Sequence, residues 1–328
     1  MLTLIISSIL RSTLSGCPDA DLLYPCTCHH SIFGTHVYCG GDSPINLENI
    51  FDSLSTGLEA DKKHFNHLTI ANSAVHQLNA NTFRDITFES ILIENCLNLS
   101  EIHRNAFTET NWFTKSFSIK NCLQLKTPSD DFFYILSKLK NLEILLIFNS
   151  NITEIPSNAF KPINGYQKQL KTIDINSKTV GKIGENSFRY LNSLENISLV
   201  NTSIDFIADN VFTPMIASNT RFVINFVNNS RLNEKSFSKK SFSSISRPTQ
   251  LTGIKANVLK EEIFFPFLTA SPHNSIELSD QNQIDCNNCQ NYWLRKNSQL
   301  LSKVLGIKCS NGYNLMHNNN FFNCVHPF

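Results

Sequence analysis

Charge is scarce in this chain. Only 17% of its 328 residues are Asp, Glu, Lys or Arg, and the net charge is +1. No basic block occurs, so nucleic acid is not expected as a partner, because holding a polyanion takes a concentrated positive field. No segment beyond the N-terminus offers the roughly 20 apolar residues that a membrane span needs. Catalytic signatures are missing too: there is no nucleophile motif, phosphate-cradling glycine loop or zinc-protease motif, each of which needs particular residues at fixed spacing. The expectation is a protein without enzymatic activity, cofactor or metal. Tryptophan is also rare, with 2 residues against 25 phenylalanines. That imbalance asks for a structural explanation.

Hydrophobic residues, at 41%, suffice for a core. Length alone suggests about two ordinary domains, but a solenoid is equally allowed, since repeats add without a common centre. A short apolar alternation recurs: Leu68-x-Ile70, Ile91-x-Ile93, Phe117-x-Ile119, Leu145-x-Ile147, Ile173-x-Ile175, Ile197-x-Leu199 and Ile224-x-Phe226. The second anchors are spaced 23, 26, 28, 28, 24 and 27 residues apart, within the leucine-rich-repeat range of about 20–29. Two residues after the anchor comes Asn72, Asn95, Asn121, Asn149, Asn201 or Asn228, with Ser177 the exception. Next comes an aliphatic (Val75, Leu99, Leu125, Ile152, Val180, Ile204) and then a phenylalanine, Phe83, Phe107, Phe133, Phe160, Phe188 or Phe212, mostly as Asn-x-Phe.

Period-two alternation makes a short strand with one buried face. The asparagine is expected to satisfy backbone groups at the bend that follows. The aliphatic and phenylalanine turn inward, one ring per turn, which explains the phenylalanine excess. No unit can bury its face alone, so the units must stack. The expected fold class is α/β: a curved leucine-rich-repeat solenoid with a parallel concave sheet. Repeats should occupy 45–284 and be irregular over 229–275, where Lys239–Ser244 and Arg247-Pro248 read as a surface loop. Ile276-x-Leu278 should form a final strand.

Ten cysteines fall into three groups: Cys17, Cys26, Cys28 and Cys39; Cys96 and Cys122; Cys286, Cys289, Cys309 and Cys324. Clusters at both ends read as disulfide frameworks in an oxidising compartment. Residues 1–16, an apolar run to Leu10 followed by Arg11–Gly16, read as a signal peptide. The chain stops four residues after Cys324, leaving no room for a stalk or lipid anchor. Cys26, Cys28, His29, His30 and Cys39 could ligate zinc and Cys286-x-x-Cys289 could be a redox pair, but cap disulfides account for these cysteines more simply.

Cys17-Pro18, Pro25-Cys26-Thr27-Cys28 and Val37-Tyr38-Cys39 resemble the N-terminal cap (17–44) of extracellular leucine-rich-repeat proteins, and Cys286 to Cys324 with Tyr292-Trp293-Leu294 resemble the C-terminal cap (285–328). The resemblance implies the pairs Cys17–Cys28, Cys26–Cys39, Cys286–Cys309 and Cys289–Cys324, each worth roughly 2–5 kcal/mol. Trp293-Leu294, Leu300-Leu301, Val304, Gly306, Cys309-Ser310-Asn311-Gly312 and Phe322-x-Cys324 are similar to arthropod proteins related to the non-catalytic subunit of Oplophorus-type luciferase. That likeness implies a non-catalytic partner subunit; a departure from it is the Cys-x-x-Cys spacing, where such caps usually show Cys-x-Cys.

Cys96 and Cys122 hold equivalent inward positions, occupied elsewhere by Ser73, Ser150 and Thr202, and are read as two buried free thiols. Sequons at Asn98, Asn151, Asn196, Asn201 and Asn228 are glycosylation candidates, with Asn98 and Asn151 favoured because they lie just past the bend. Of the outward strand positions, only Ile144, Leu146 and Phe148 place three large apolar side chains in a row, rimmed by polar residues. Such a patch marks a candidate partner site, which a glycan on Asn196 would crowd from the C-terminal side. The expected function is therefore a secreted protein-binding adaptor or stabilising subunit for another extracellular protein. A recognition protein for microbial or host ligands and a matrix or cuticle component remain as alternatives.

Overall fold

The computed structural model describes residues 16–126, 128–162, 169–214, 219–243, 245–280, 282–310 and 312. Twelve strands form one sheet. They are β1 (Thr27–Ser31), β2 (Gly34–Gly41), β3 (His64–Asn72), β4 (Thr87–Glu94), β5 (Ser116–Lys120) and β6 (Ile144–Phe148), then β7 (Thr172–Asn176), β8 (Asn196–Val200), β9 (Phe222–Asn225), β10 (Thr249–Ile254), β11 (Ser275–Leu278) and β12 (Val304–Leu305). Only β1 and β2 pair antiparallel; every later step is parallel. The anchors stack in register. Ile70 faces Ile93, which faces Ile119, then Ile147, Ile175 and Leu199. All of them are buried, because a one-residue slip would turn the whole apolar set into solvent.

Behind the sheet the phenylalanines form a continuous column. Phe83 stacks on Phe107 at 5.1 Å, Phe133 meets Phe160 at 5.4 Å, and Phe160, Phe188 and Phe212 follow at 5.9 and 5.7 Å. Between Phe107 and Phe133 the column passes through Phe117 and Phe132. This detour coincides with one of the longest repeats, whose extra residues form helix α3 (Ser129–Lys138) and bury Phe132, Phe133, Ile135 and Leu136. Two-residue strands bury Leu78, Ile102, Ile155, Ile183 and Ile207 on this rear wall. Their apolar signal is one residue long, too short to read as strand.

The asparagines depart from expectation. Asn95, Asn121, Asn149, Asn201 and Asn228 take the left-handed conformation, with φ from 44° to 61°. Asparagine tolerates that region better than most side chains. Instead of serving the backbone, several of these side chains bond one another: the Asn121 amide donates to Asn95 Oδ1 (2.9 Å) and the Asn149 amide to Asn121 Oδ1 (3.0 Å). Asn201 reaches Asn176, since Ser177 stands where the ladder would continue. Asn72 alone matches the expected role, donating to the Ser43 carbonyl and accepting from the Ala74 amide. In the Asn-x-Phe pattern, Asn81, Asn158, Asn186 and Asn210 are also left-handed, which turns the chain so that the phenylalanine points inward.

The N-terminal end is closed by disulfides Cys17–Cys28 and Cys26–Cys39, by the short helix α1 (Ala20–Leu23) and by helix α2 (Leu47–Gly57). This helix is capped by Asn46 and buries Leu47, Ile50, Phe51 and Leu54 at helical spacing. The C-terminal end holds Cys286–Cys309. Cys324, and with it the Cys289–Cys324 pairing, lies outside the described residues, as does the signal-peptide reading of all but Gly16.

The stretch 229–275 contains β10 and helix α4 (Glu261–Ala270). The surface loop expected around 239–248 is corrected. Ser241 and Phe242 are buried and Phe242 joins the ring column, stacking on Phe212 at 5.6 Å. Arg247 is only 2% exposed; its guanidinium lies 3.9 Å from the Phe222 ring centre and donates to the Leu194 carbonyl. Burial pushes its pKa down to about 10, with Glu195 partly opposing the shift. An apolar ring and one carbonyl take the place of a carboxylate partner, so neither charge nor the neighbouring proline foretold burial.

Candidate partner-binding site

Alternation on β6 turns Leu145 and Ile147 into the core and leaves Ile144, Leu146 and Phe148 on the open face. Ile144 is 41% exposed and the other two are half-buried. The parallel register sets Ser116, Ser118 and Lys120 of β5 beside them on one side, and Thr172, Asp174 and Asn176 of β7 on the other. The patch is therefore an apolar ridge with a lysine against Phe148 and an aspartate against Leu146.

Two features of this rim were not legible from residue types. The Asp174 carboxyl is pushed above the ordinary carboxylate range by desolvation, partly offset by a hydrogen bond from Ser198. Ser118, which alternation sets on the open face between the inward anchors Phe117 and Ile119, is only 6% exposed, and its hydroxyl is buried without a hydrogen-bond partner. Flanked by Leu92 and Leu146 in the same transverse row, this short side chain is covered by its longer neighbours. Leu92 extends the apolar surface one strand past Ser118. The signal for it was its outward position on β4.

The sequons are spread along the solenoid. Asn98, Asn196 and Asn228 are exposed, while Asn151 and Asn201 are half-buried. Asn196 stands on β8, two strands from Ile144 on the same face. The Asn98 amide donates to the Ser73 carbonyl at 2.8 Å, so one of the two favoured positions is itself engaged with the backbone. Cys96 and Cys122 are free and buried; the Cys122 thiol is held protonated by its hydrogen bond with Cys96 and by burial. Among the described residues no group of three or more His, Cys, Asp or Glu is placed to hold a metal ion, and no helix is long and apolar enough to cross a membrane. Around the ridge the chemistry on offer is non-covalent: apolar contact, one cation and one carboxyl.

The family model described as BspA type leucine rich repeat region matches residues 60–165 and 164–276, in 6 copies. Among solved structures, human 5T4 (trophoblast glycoprotein, Wnt-activated inhibitory factor 1) aligns with a TM-score of 0.49 and 18% identity, covering 93% of this chain and 98% of that one. A chain of the Drosophila Toll–Spatzle complex aligns with a TM-score of 0.34 and 10% identity, over 89% of this chain and 50% of that one. The TLR13–ssRNA13 complex gives a TM-score of 0.23 and 10% identity, over 84% and 58%. No curated protein matches the sequence.

Proposed function

This chain belongs to the BspA-type leucine-rich-repeat family, and from that premise we propose that it is a secreted, non-catalytic protein-binding subunit that stabilises or presents an extracellular partner. The observation that carries this reading is the ridge of Ile144, Leu146 and Phe148, standing off a rigid sheet between polar strands. Side chains held by a registered sheet need little reordering on binding, which removes part of the entropic cost of association. Disulfides at both ends favour an oxidising compartment, and the five sequons are consistent with passage through the secretory pathway.

The test pairs capture with a surface variant. Pull-down from secreted material, followed by mass spectrometry, identifies the partner. Leu146→Glu with Phe148→Asp should leave the fold intact, because both side chains point off the sheet. Removing two anchors of hot-spot strength weakens binding by about a hundredfold or more. A folded double variant that captures the partner at wild-type affinity would overturn the assignment.

A further inference from the structure

Three histidines stand in one transverse row at the N-terminal end of the same sheet face. His29 on β1 faces His36 on β2, and His36 faces His67 on β3. The rings of His36 and His67 meet edge to face with centres 6.0 Å apart, and Tyr38 lies 6.3 Å from His36. The row exists because β1 and β2 fold back as a hairpin and β2 then joins the repeat sheet in parallel. Positions 29, 36 and 67 share no sequence pattern.

The groups facing this row can be named from each side. β1 supplies His29, β2 supplies Tyr38, and β3 supplies His67 and Thr69, whose hydroxyl is 2.8 Å from His36 Nε2. The hairpin tip supplies the Phe33 carbonyl, 3.2 Å from His67 Nε2. β4 sets Ser90 opposite His67. Of its two carboxylates, Glu89 is engaged with Lys115, His64 and Asn66, and Glu94 lies four residues along the strand from Ser90, opposite Lys120. Among the described residues no carboxylate bonds to any of the three histidines. Burial first, then the neighbouring His67 and His29, hold His36 below the ordinary imidazole range. Imidazole side chains take up protons as pH falls below neutral, so acidification adds positive charge to a row that no carboxylate among the described residues is placed to pair.

We propose that this row is an acid-switched docking site for an acidic polypeptide segment, idle near neutral pH and paired with the segment's carboxylates once protonated. A polypeptide fits better than the other anionic surfaces. The row spans two strand steps, roughly 10 Å, which an extended chain can follow with carboxylates on alternate residues. It lies on the open face of the sheet, opposite the buried side chains of Val37 and Leu68. The exposed Phe33 (76%) and Ile32 (94%) at the hairpin tip offer apolar contact beside it. His36 and His67 turn their Nε2 atoms towards Thr69 and Phe33 rather than towards a common point, so the arrangement is not one that shares a metal ion. The site lies four strands from Ile144, roughly 20 Å, and the proposal does not depend on that ridge.

The experiment uses the full chain and fluorescein-labelled poly-L-glutamate, with a Gly/Ser peptide as the neutral control. Anisotropy is read at about pH 7.5 and about pH 5.5, where glutamate stays ionised. Affinity should rise by at least about tenfold at the lower pH, accompanied by proton uptake, as linkage requires. His29→Gln, His36→Gln and His67→Gln combined should abolish the rise while leaving the chain's seven other histidines, and so most of its acid-induced charge, in place. If the triple variant misfolds, His29→Gln and His67→Gln singly, both at solvent-accessible positions, should each reduce the rise. Unchanged affinity between the two pH values, or a rise that the substitutions leave intact, overturns the proposal. So does acid-dependent binding to phosphatidylserine vesicles with none to polyglutamate.

Discussion

At an ordinary strand or helix position alanine is more stabilising than glycine by about 0.5–1 kcal/mol, because glycine loses more backbone freedom on folding. Asn121 should invert that order. Its φ of 54° is left-handed, where a Cβ costs roughly 1–2 kcal/mol and glycine incurs no such penalty. Its side chain also donates to Asn95 at 2.9 Å and accepts from Asn149 at 3.0 Å. Both bonds are solvent-exposed, so each belongs at the low end of 0.5–1.5 kcal/mol, about 1 kcal/mol together. Asparagine carries the same Cβ, offset by its local polar contacts, so Asn121→Ala loses the two bonds and that offset, about 1–2 kcal/mol. Asn121→Gly loses the same bonds and some backbone entropy but sheds the Cβ strain, so it should be more stable than the alanine variant by about 0.5–1 kcal/mol. Urea unfolding of both variants, compared at equal denaturant slope, measures the difference. An alanine variant as stable as the glycine variant would refute the argument that conformation, rather than hydrogen bonding alone, selects asparagine at these bends.

Three further outcomes follow from the packing. Phe160 is fully buried between Phe133 and Phe188, so Phe160→Ala should cost about 3–5 kcal/mol. Hydrogen exchange should rise mainly in the adjoining repeats, because a solenoid couples nearest neighbours; a loss under about 1 kcal/mol contradicts the column. Ser118→Ala removes a buried hydroxyl with no partner and should be neutral or stabilising by up to about 1 kcal/mol in thermal and urea melts. A clear destabilisation means the hydroxyl has a partner. For Asp174, burial raises the folded-state pKa, so the native state holds the proton more tightly than the unfolded chain, and ionising the group costs stability above that pKa. Asp174→Asn should raise the urea midpoint at neutral pH, with the gain fading as acid protonates the wild-type carboxyl. A lowered midpoint at neutral pH would contradict the sign.

The repeat architecture could be read in advance because its information is local. In seven units, alternation marks which residues point inward, and the spacing between anchors fixes how the units stack. Leu68 to Ile224 accordingly pair as the pattern required. The phenylalanine excess and the clustered cysteines carried the rear column and the caps in the same way. The ridge at Ile144, Leu146 and Phe148 was legible too, since a single strand presents all three.

Tertiary structure decided what depends on neighbours distant in sequence. Arg247 reads as a loop cation until Phe222 and the Leu194 carbonyl are brought against it. Ser118 reads as an outward hydroxyl until Leu92 and Leu146 flank it. His29, His36 and His67 form a row only after a hairpin and a parallel pairing have set three strands side by side. The physical reason is one of range. Alternation and bend chemistry act within a few residues and are written in the order of the chain. Burial, desolvation and the field on a titrating group are sums over atoms nearby in space, and that set of atoms exists only once the strands have taken their register.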